Sequence, residues 1–465
     1  MNTWNDLPGE SRWLGLPDMR AMARDFLGFI GTRRHYGDLS KHRVLHERAI
    51  DIFDPELARQ FLIDHHDAMI RYERGTEVFS QSSGQSVLVT EGVTWQRQRR
   101  MLHAAFTPRA VSGYAGLMVD ATRQTLDRIR AGLTDMDALF TGLTMDVILR
   151  TLFSASAAQD SQAAAEAMQT LTHLGLREMF WPFSPPAWLP TEHNRRKRAA
   201  LRTLDDLITR HIEMRRQSPA PNANDVLAML LALRDEADGA ALHPTEVRDQ
   251  CAVTFQAGHE TTASALLWWS AMMAAYPHAQ QRARDEVTAV LAGRTPTADA
   301  TAQLPWLTAT LKETLRLYPS IPLLMTRRTT ADIEFAGYRV PRRTLVRIAP
   351  WYLQRDERHF DAPEEFRPER FLPGAAPIPR GAWMPFGVGP RVCLGQHFAM
   401  LEMTIIAAML LQRFVLSIDR PVSLNPVFHI SLRPEGGLRL MLEPTSQCRG
   451  AADATMRVGT SQAIP

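Results

Sequence analysis

From Thr245 to Tyr276 the chain keeps a helical pattern for about 32 residues without a proline, and Pro277 closes the run. At about 1.5 Å per residue this is roughly 48 Å of helix. The mean helix of a globular protein is only about 11–12 residues long. Apolar residues lie on several sides of the run, as expected of a helix that passes through the middle of a large protein. A chain with such an axis has to wrap its other elements around it.

Most of those elements also read as helical. An amphipathic helix is expected over 18–36 and two short strands near 41–45 and 49–53. Asp54-Pro55-Glu56 opens a further helix, with Asp54 as N-cap and Pro55 in the first turn. Residues 80–91 are polar and read as a loop, and 92–106 as a helix. Helices fill 114–235, interrupted at 181–190 by Pro182, Pro185, Pro186 and Pro190. Two readings fit that loop: Trp181 and Trp188 tuck into the core, or the loop is an apolar lid over a binding cavity. Helices follow at 278–291 and 304–317, strands and turns at 321–350, and irregular chain at 355–392. A last long helix covers 394–414. Residues 1–17 read as an N-terminal extension and 443–465 as a polar, mobile tail. With no repeat and no linker, 1–465 reads as one domain.

The 53 basic and 50 acidic side chains leave a net charge of +3, too small for nucleic-acid binding. The basic run Arg195, Arg196, Lys197, Arg198 reads as a solvated helix face. Cys251, Cys393 and Cys448 stand far apart, without the spacing of a disulfide framework or a zinc site. The N-terminus lacks a basic segment followed by an apolar one, and no apolar run reaches the 18 residues of a spanning helix. A cytoplasmic protein with no membrane span is expected.

The chemistry concentrates in Phe386-Gly387-Val388-Gly389-Pro390-Arg391-Val392-Cys393-Leu394-Gly395. Cys393 stands at a helix start, where free N–H groups favour an anion, and Arg391 adds positive charge. Both effects favour thiolate. Gly387 and Gly389 let the backbone turn tightly and approach a flat ligand, and Phe386 is placed to shield the sulfur. Cys251 reads as a buried small hydrophobe inside the long helix, and Cys448 as an inert tail residue.

This stretch resembles the cysteine loop of the cytochrome P-450 superfamily, with Phe386, Gly387, Arg391, Cys393 and Gly395 at matching spacing. Five fixed residues at about 5% frequency each coincide at a given position with odds on the order of 10⁻⁷. Other segments resemble the family as well. Glu313-Thr314-Leu315-Arg316 matches Glu-x-x-Arg, and Pro368-Glu369-Arg370-Phe371 matches its partner segment. Trp95 to Arg99 matches Trp-x-x-x-Arg, with Phe106 also at the family's spacing. Ala257-Gly258-His259-Glu260-Thr261 is similar to the oxygen-activation segment.

The resemblance implies a mainly α (α+β) fold, with about a dozen helices around a haem, small β-sheets and a long central helix. It implies haem b (iron protoporphyrin IX), with Cys393 as the iron ligand. Trp95, Arg99 and Arg327, or the adjacent Arg328, would bind its propionates, and Phe386 and Arg391 would support it. Glu313, Arg316 and Arg370 would form a buried structural triad. Thr261 and Glu260 would guide protons to bound dioxygen, with Ala257 and Gly258 leaving room for it. The implied activity is monooxygenation of a hydrophobic small molecule. Electrons would come from a separate ferredoxin or flavodoxin and its reductase, received near Arg97 and Arg100.

The pocket is expected from 80–88, Phe255, Ala257, 321–325 (Leu323 and Leu324 among them) and Leu432. His259 is expected on the helix surface. Two other classes fit a haem-thiolate chain: an electron-independent isomerase or dehydratase, which commonly lacks the threonine–acid pair, and a haem-based ligand sensor, which needs a partner domain.

Overall fold

The computed structural model describes residues 2–445 except 11–15, 45–46, 155–157, 181–185, 187, 219–224, 236–238, 420–423 and 429. Eight helices frame the site. They are α1 (Glu73–Ser83), α2 (Gly92–His103), α3 (Met136–Phe153), α4 (Ala158–Phe180), α5 (Glu192–Gln217), α6 (Pro244–Ala275), α7 (Pro305–Leu317) and α8 (Gln396–Arg413). Further helices, among them Pro277–Leu291, and four small sheets make up the rest of the regular structure among the described residues.

Helix α6 is the expected axis, 32 residues long. Its start is fixed by local chemistry: Pro244 takes the first position, and the Glu246 carboxylate accepts from the His243 N–H at 2.9 Å. Every position from Thr262 to Ala274 is buried, so that half of the helix is held by packing on all sides. Trp268 and Trp269 are fully buried, and each such side chain contributes roughly 1.5–3 kcal/mol. Their polar ends are satisfied as well: Trp268 Nε1 donates to the Leu432 carbonyl at 2.9 Å and Trp269 Nε1 to Thr310 Oγ1 at 3.0 Å.

The largest sheet has five strands: β1 (Leu39–Val44), β2 (Glu47–Ile52), β3 (Met69–Arg71), β4 (Arg327–Thr329) and β5 (Thr344–Ile348), in the order β1-β2-β5-β4-β3. The antiparallel register of β3 and β4 sets Arg71 opposite Arg327. Like charges directly opposite in a sheet are unfavourable, so this pair needs an anion.

Several local expectations change. The helix read over 18–36 is broken at Asp25, whose carboxylate accepts from the Gly28 N–H and so caps a new helix, Phe26–Gly31. The loop read at 80–91 begins only after α1 ends at Ser83. Of the stretch read as an extension, residues 2–10 pack onto the body: Asn2 bridges to Tyr338, and Lys41 Nζ donates to the Trp4 carbonyl at 3.1 Å. The tail read from 443 begins later, because Arg439–Pro444 is a strand paired with both Gly132–Asp135 and Phe414–Ser417. Residues beyond 445, with Cys448, lie outside the described residues. Most of the 181–190 loop does too, although Trp188 is 77% exposed and does not tuck into the core. No helix among the described residues is long and apolar enough to cross a membrane.

Candidate active site

The cysteine loop is shaped by its backbone. Gly387 and Gly389 have φ of +72° and +80°, where glycine has no Cβ to clash. A Cβ on Gly389 would lie 2.7 Å from the Leu62 carbonyl oxygen. The Cys393 N–H donates to the Phe386 carbonyl at 2.9 Å and closes the loop. Phe386 meets Trp383 edge-on, with ring centroids 6.3 Å apart. Just upstream, the Met384 N–H donates to the Gln354 side-chain oxygen at 2.8 Å, and the Gln354 amide donates to the Leu315 and Arg316 carbonyls. The loop is thereby tied to α7.

Helix α7 carries the expected triad. Glu313 accepts from Arg316 Nε at 2.7 Å and Nη2 at 2.8 Å, from the Arg367 N–H at 2.8 Å and from Arg370 Nε at 3.4 Å. The other Arg316 nitrogen donors reach the Gln354, Pro363 and Glu365 carbonyls. Glu313 and Arg316 are fully buried, and each charge is met.

The Cys393 sulfur sits deep in the protein yet keeps open surface, so it faces an interior hollow. Burial pushes its thiol up from the usual range, while the Gly395 N–H and the Arg99 charge oppose that rise. This differs from the expected acidification. Helix α8 begins only at Gln396, and Arg391 is turned elsewhere: it donates to the Thr90 carbonyl at 3.0 Å and to the Glu91 carboxylate, and lies 3.8 Å above the Trp95 ring.

Beside the loop is a cavity of about 170 Å³ lined by Arg71, Glu91, Trp95, Arg327, Val388 and Arg391 among others. Arg327 is buried, and burial lowers it to about 10, still cationic at neutral pH. Arg71 is buried with Nε and Nη1 lacking hydrogen-bond partners. Burial, then the charges of Arg327 and Arg391, push it well below the usual arginine range. Arg99 lies within electrostatic reach of Arg71, Arg391 and Cys393, and among the described residues it has no ion pair. Of the two candidates on β4, Arg328 is taken up by Glu47 and Glu73, each at 2.7 Å. That leaves Arg327 as the β4 arginine that lines the cavity. Sequence reasoning missed Arg71 and Glu91; only the strand register brings Arg71 here.

Across α6, Ala257 is exposed and Thr261 partly so, although the helix around them is buried. Their surface marks the hollow on that side. Thr261 Oγ1 donates to the Ala257 carbonyl at 2.8 Å and keeps its lone pairs free to accept. Glu260 is 9% exposed and does not face water: it accepts from Thr172 Oγ1 on α4 and from Ser431 Oγ, both at 2.8 Å.

Five expectations for α6 and its surroundings are corrected. Gly258 serves close packing, since a Cβ there would lie 2.6 Å from Ile148 Cδ1 on α3. His259 is buried rather than on the surface; its Nδ1 pairs with the Phe255 carbonyl at 2.8 Å, and burial lowers the imidazole from its usual value. Phe255 is fully buried against Phe153, and Leu432 is fully buried with Trp268 and Leu27, so neither lines the hollow. Leu323 packs with Phe29, Ile30 and Phe53, whereas Leu324 comes close to Gly387.

The proximal arginines also differ from expectation. Arg97 is paired with Asp235 at 3.0 Å and Glu246 at 2.7 Å, and Arg100 with Asp235 at 3.2 Å. Much of their charge is therefore met within the chain. In the basic run of α5, Arg195, Arg196 and Arg198 are exposed, while Lys197 binds Glu178.

An open sulfur beside surplus buried guanidinium charge suits a metal-bearing prosthetic group with acidic side arms, and haem has both features. Residues 25–441 match the family model described as Cytochrome P450. Among curated proteins, the chain is 31% identical over 439 residues to "Putative cytochrome P450 132" of Mycobacterium tuberculosis, covering 89% of this chain and 92% of that one. It is 32% identical over 424 residues to "Pentalenene oxygenase" of Streptomyces avermitilis, covering 88% and 92%. It is 32% identical over 426 residues to "Cyclooctat-9-en-7-ol 5-monooxygenase" of Streptomyces melanosporofaciens, covering 90% of each. The chain belongs to the cytochrome P450 family, and is a monooxygenase whose cofactor is a haem.

Proposed function

We propose that this chain binds haem b through the Cys393 sulfur and hydroxylates or epoxidises a hydrophobic small molecule, with electrons from a separate ferredoxin or flavodoxin. The single observation that carries the reading is the open Cys393 sulfur beside the arginine cavity. Among the described residues no cluster of three or more His, Cys, Asp or Glu could hold a bare metal ion. Iron brought within a porphyrin needs only one protein sulfur.

Each residue then has a defined task. Arg71, Arg99, Arg327 and Arg391 would take the two propionates, with the Trp95 indole N–H, which has no acceptor among the described residues, as a further donor. Bound haem supplies the redox-active iron at which dioxygen is reduced, and a thiolate ligand pushes electron density that favours O–O cleavage. The exposed Ala257 would leave space for dioxygen in the hollow. The Thr261 hydroxyl, which donates to the Ala257 carbonyl, would accept a hydrogen bond there through its free lone pairs. Glu260 passes it protons, drawing on the Thr172 and Ser431 hydroxyls. The threonine–acid pair favours oxygenation over electron-independent rearrangement. A reducing compartment such as the cytoplasm keeps Cys393 a free thiol.

The apolar surface of Leu324 and Ala257 suits a largely hydrocarbon substrate, in line with relatives named for pentalenene and cyclooctat-9-en-7-ol.

Two variants test this reading. Cys393→Ser is expected to lose the ferrous–carbonyl absorption at about 450 nm that marks thiolate ligation; an unchanged spectrum would refute the ligand. Thr261→Ala is expected to retain haem and substrate binding while diverting reducing equivalents to hydrogen peroxide. Wild-type coupling in that variant would remove Thr261 from the proton path.

A further inference from the structure

Among the described residues, Glu91 is the carboxylate of the arginine cavity that stands close to both Arg71 and Arg391. Its Oε1 accepts from the Arg71 backbone N–H at 3.0 Å and lies 4.0 Å from Arg71 Nη1. Its Oε2 accepts from Arg391 Nη2, which holds that guanidinium over the Trp95 ring. Arg71, Arg327 and Arg391 therefore share the Glu91 counter-charge. None can shed its charge at neutral pH, because an arginine stays protonated.

Before haem is present, Glu91 offsets the repulsion of Arg71 from Arg327 across the β3–β4 register. Once a dianionic ligand enters the cavity, the same carboxylate becomes a like charge at short range. Resting on the haem reading above, we propose that Glu91 is an internal stand-in for a haem propionate. It organises Arg71 and Arg391 in the haem-free chain, then weakens haem retention and disfavours reduction of the iron when haem is bound. Glu91 is thus a positioning residue that acts through Arg71 and Arg391.

Glu91→Gln separates the two phases, since it keeps an acceptor oxygen and removes the charge. The haem-free variant is expected to unfold at lower urea than the haem-free wild type. The haem-loaded variant should transfer haem to excess apomyoglobin several-fold more slowly, and its ferric–ferrous midpoint should move positive. Glu91→Asp, which keeps the charge, should stay near wild type in all three measurements. A purely structural Glu91 would instead give faster haem loss in the glutamine variant. Faster or unchanged haem loss, or a midpoint that stays or falls, overturns the proposal. If the wild type takes up no haem, this proposal fails together with the function reading; if it takes up haem and Glu91→Gln behaves as wild type, this proposal fails alone.

Discussion

Among the buried and half-buried arginines of the described residues, two groups are held in opposite ways. Around Glu313, the donors of Arg316 end on a carboxylate or a carbonyl, and Arg370 joins the same carboxylate. Around the cavity, Arg71 has orphaned nitrogens, Arg99 lacks an ion pair among the described residues, and Glu91 is shared. A closed network of buried charge is a scaffold, because any further ligand would have to break it. An open one is a binding site, because the unmet charge is costly until an anion arrives. Glu402 on α8 makes a third case. It is fully buried, and both its oxygens lack partners among the described residues. Burial holds its carboxyl well above the usual range, and the nearby Thr262 hydroxyl opposes this only in part. A carboxyl escapes an orphaned site by keeping its proton, and an arginine cannot.

The largest expected effect lies in the closed network. Glu313→Gln leaves Arg316 buried without its counter-charge and should destabilise the chain by roughly 3–5 kcal/mol. Urea unfolding should show this loss with haem present or absent; a loss confined to one state would break the contrast between scaffold and site. In the open network the effect should divide by state. Arg327→Met should weaken haem retention by about ten- to a hundred-fold, the scale of about 1.5–3 kcal/mol for a hydrogen bond to a charged group. The haem-free variant should be at least as stable as wild type, since Arg71 loses a like-charged neighbour. Equal destabilisation of both states would make Arg327 part of the scaffold.

The smallest effect concerns Glu402. Its folded pKa is raised, so the folded chain keeps a proton that the unfolded chain releases above about 4.5. Wild-type stability should therefore fall relative to Glu402→Gln as pH rises from there, by at most about 1.4 kcal/mol per pH unit. Below that pH the difference between the two should be constant. Paired urea titrations across pH check this, and a pH-independent difference would show that Glu402 is ionised in the folded chain.

Much of the frame was legible in the amino-acid order. The pattern of α6, the Asp54 cap and the glycines around Cys393 depend on residues near one another along the chain, and all appear as read. The triad was legible too, because Glu313 and Arg316 share a helix face and Arg370 follows in a matching segment. Readings of which way a side chain faces fared less well. His259, Phe255 and Leu432 turned inward, and Arg391 turned from the sulfur toward Glu91.

The sequence by itself determined the axis of the molecule and the turn that presents the cysteine. The central axis and the cysteine turn follow from backbone sterics, caps and short-range periodicity. Tertiary structure alone decided the arginine cavity. Arg71 and Arg327 are separated by most of the chain and meet only through the register of two three-residue strands. Burial then makes their charge matter, and burial belongs to the packed whole rather than to any local segment.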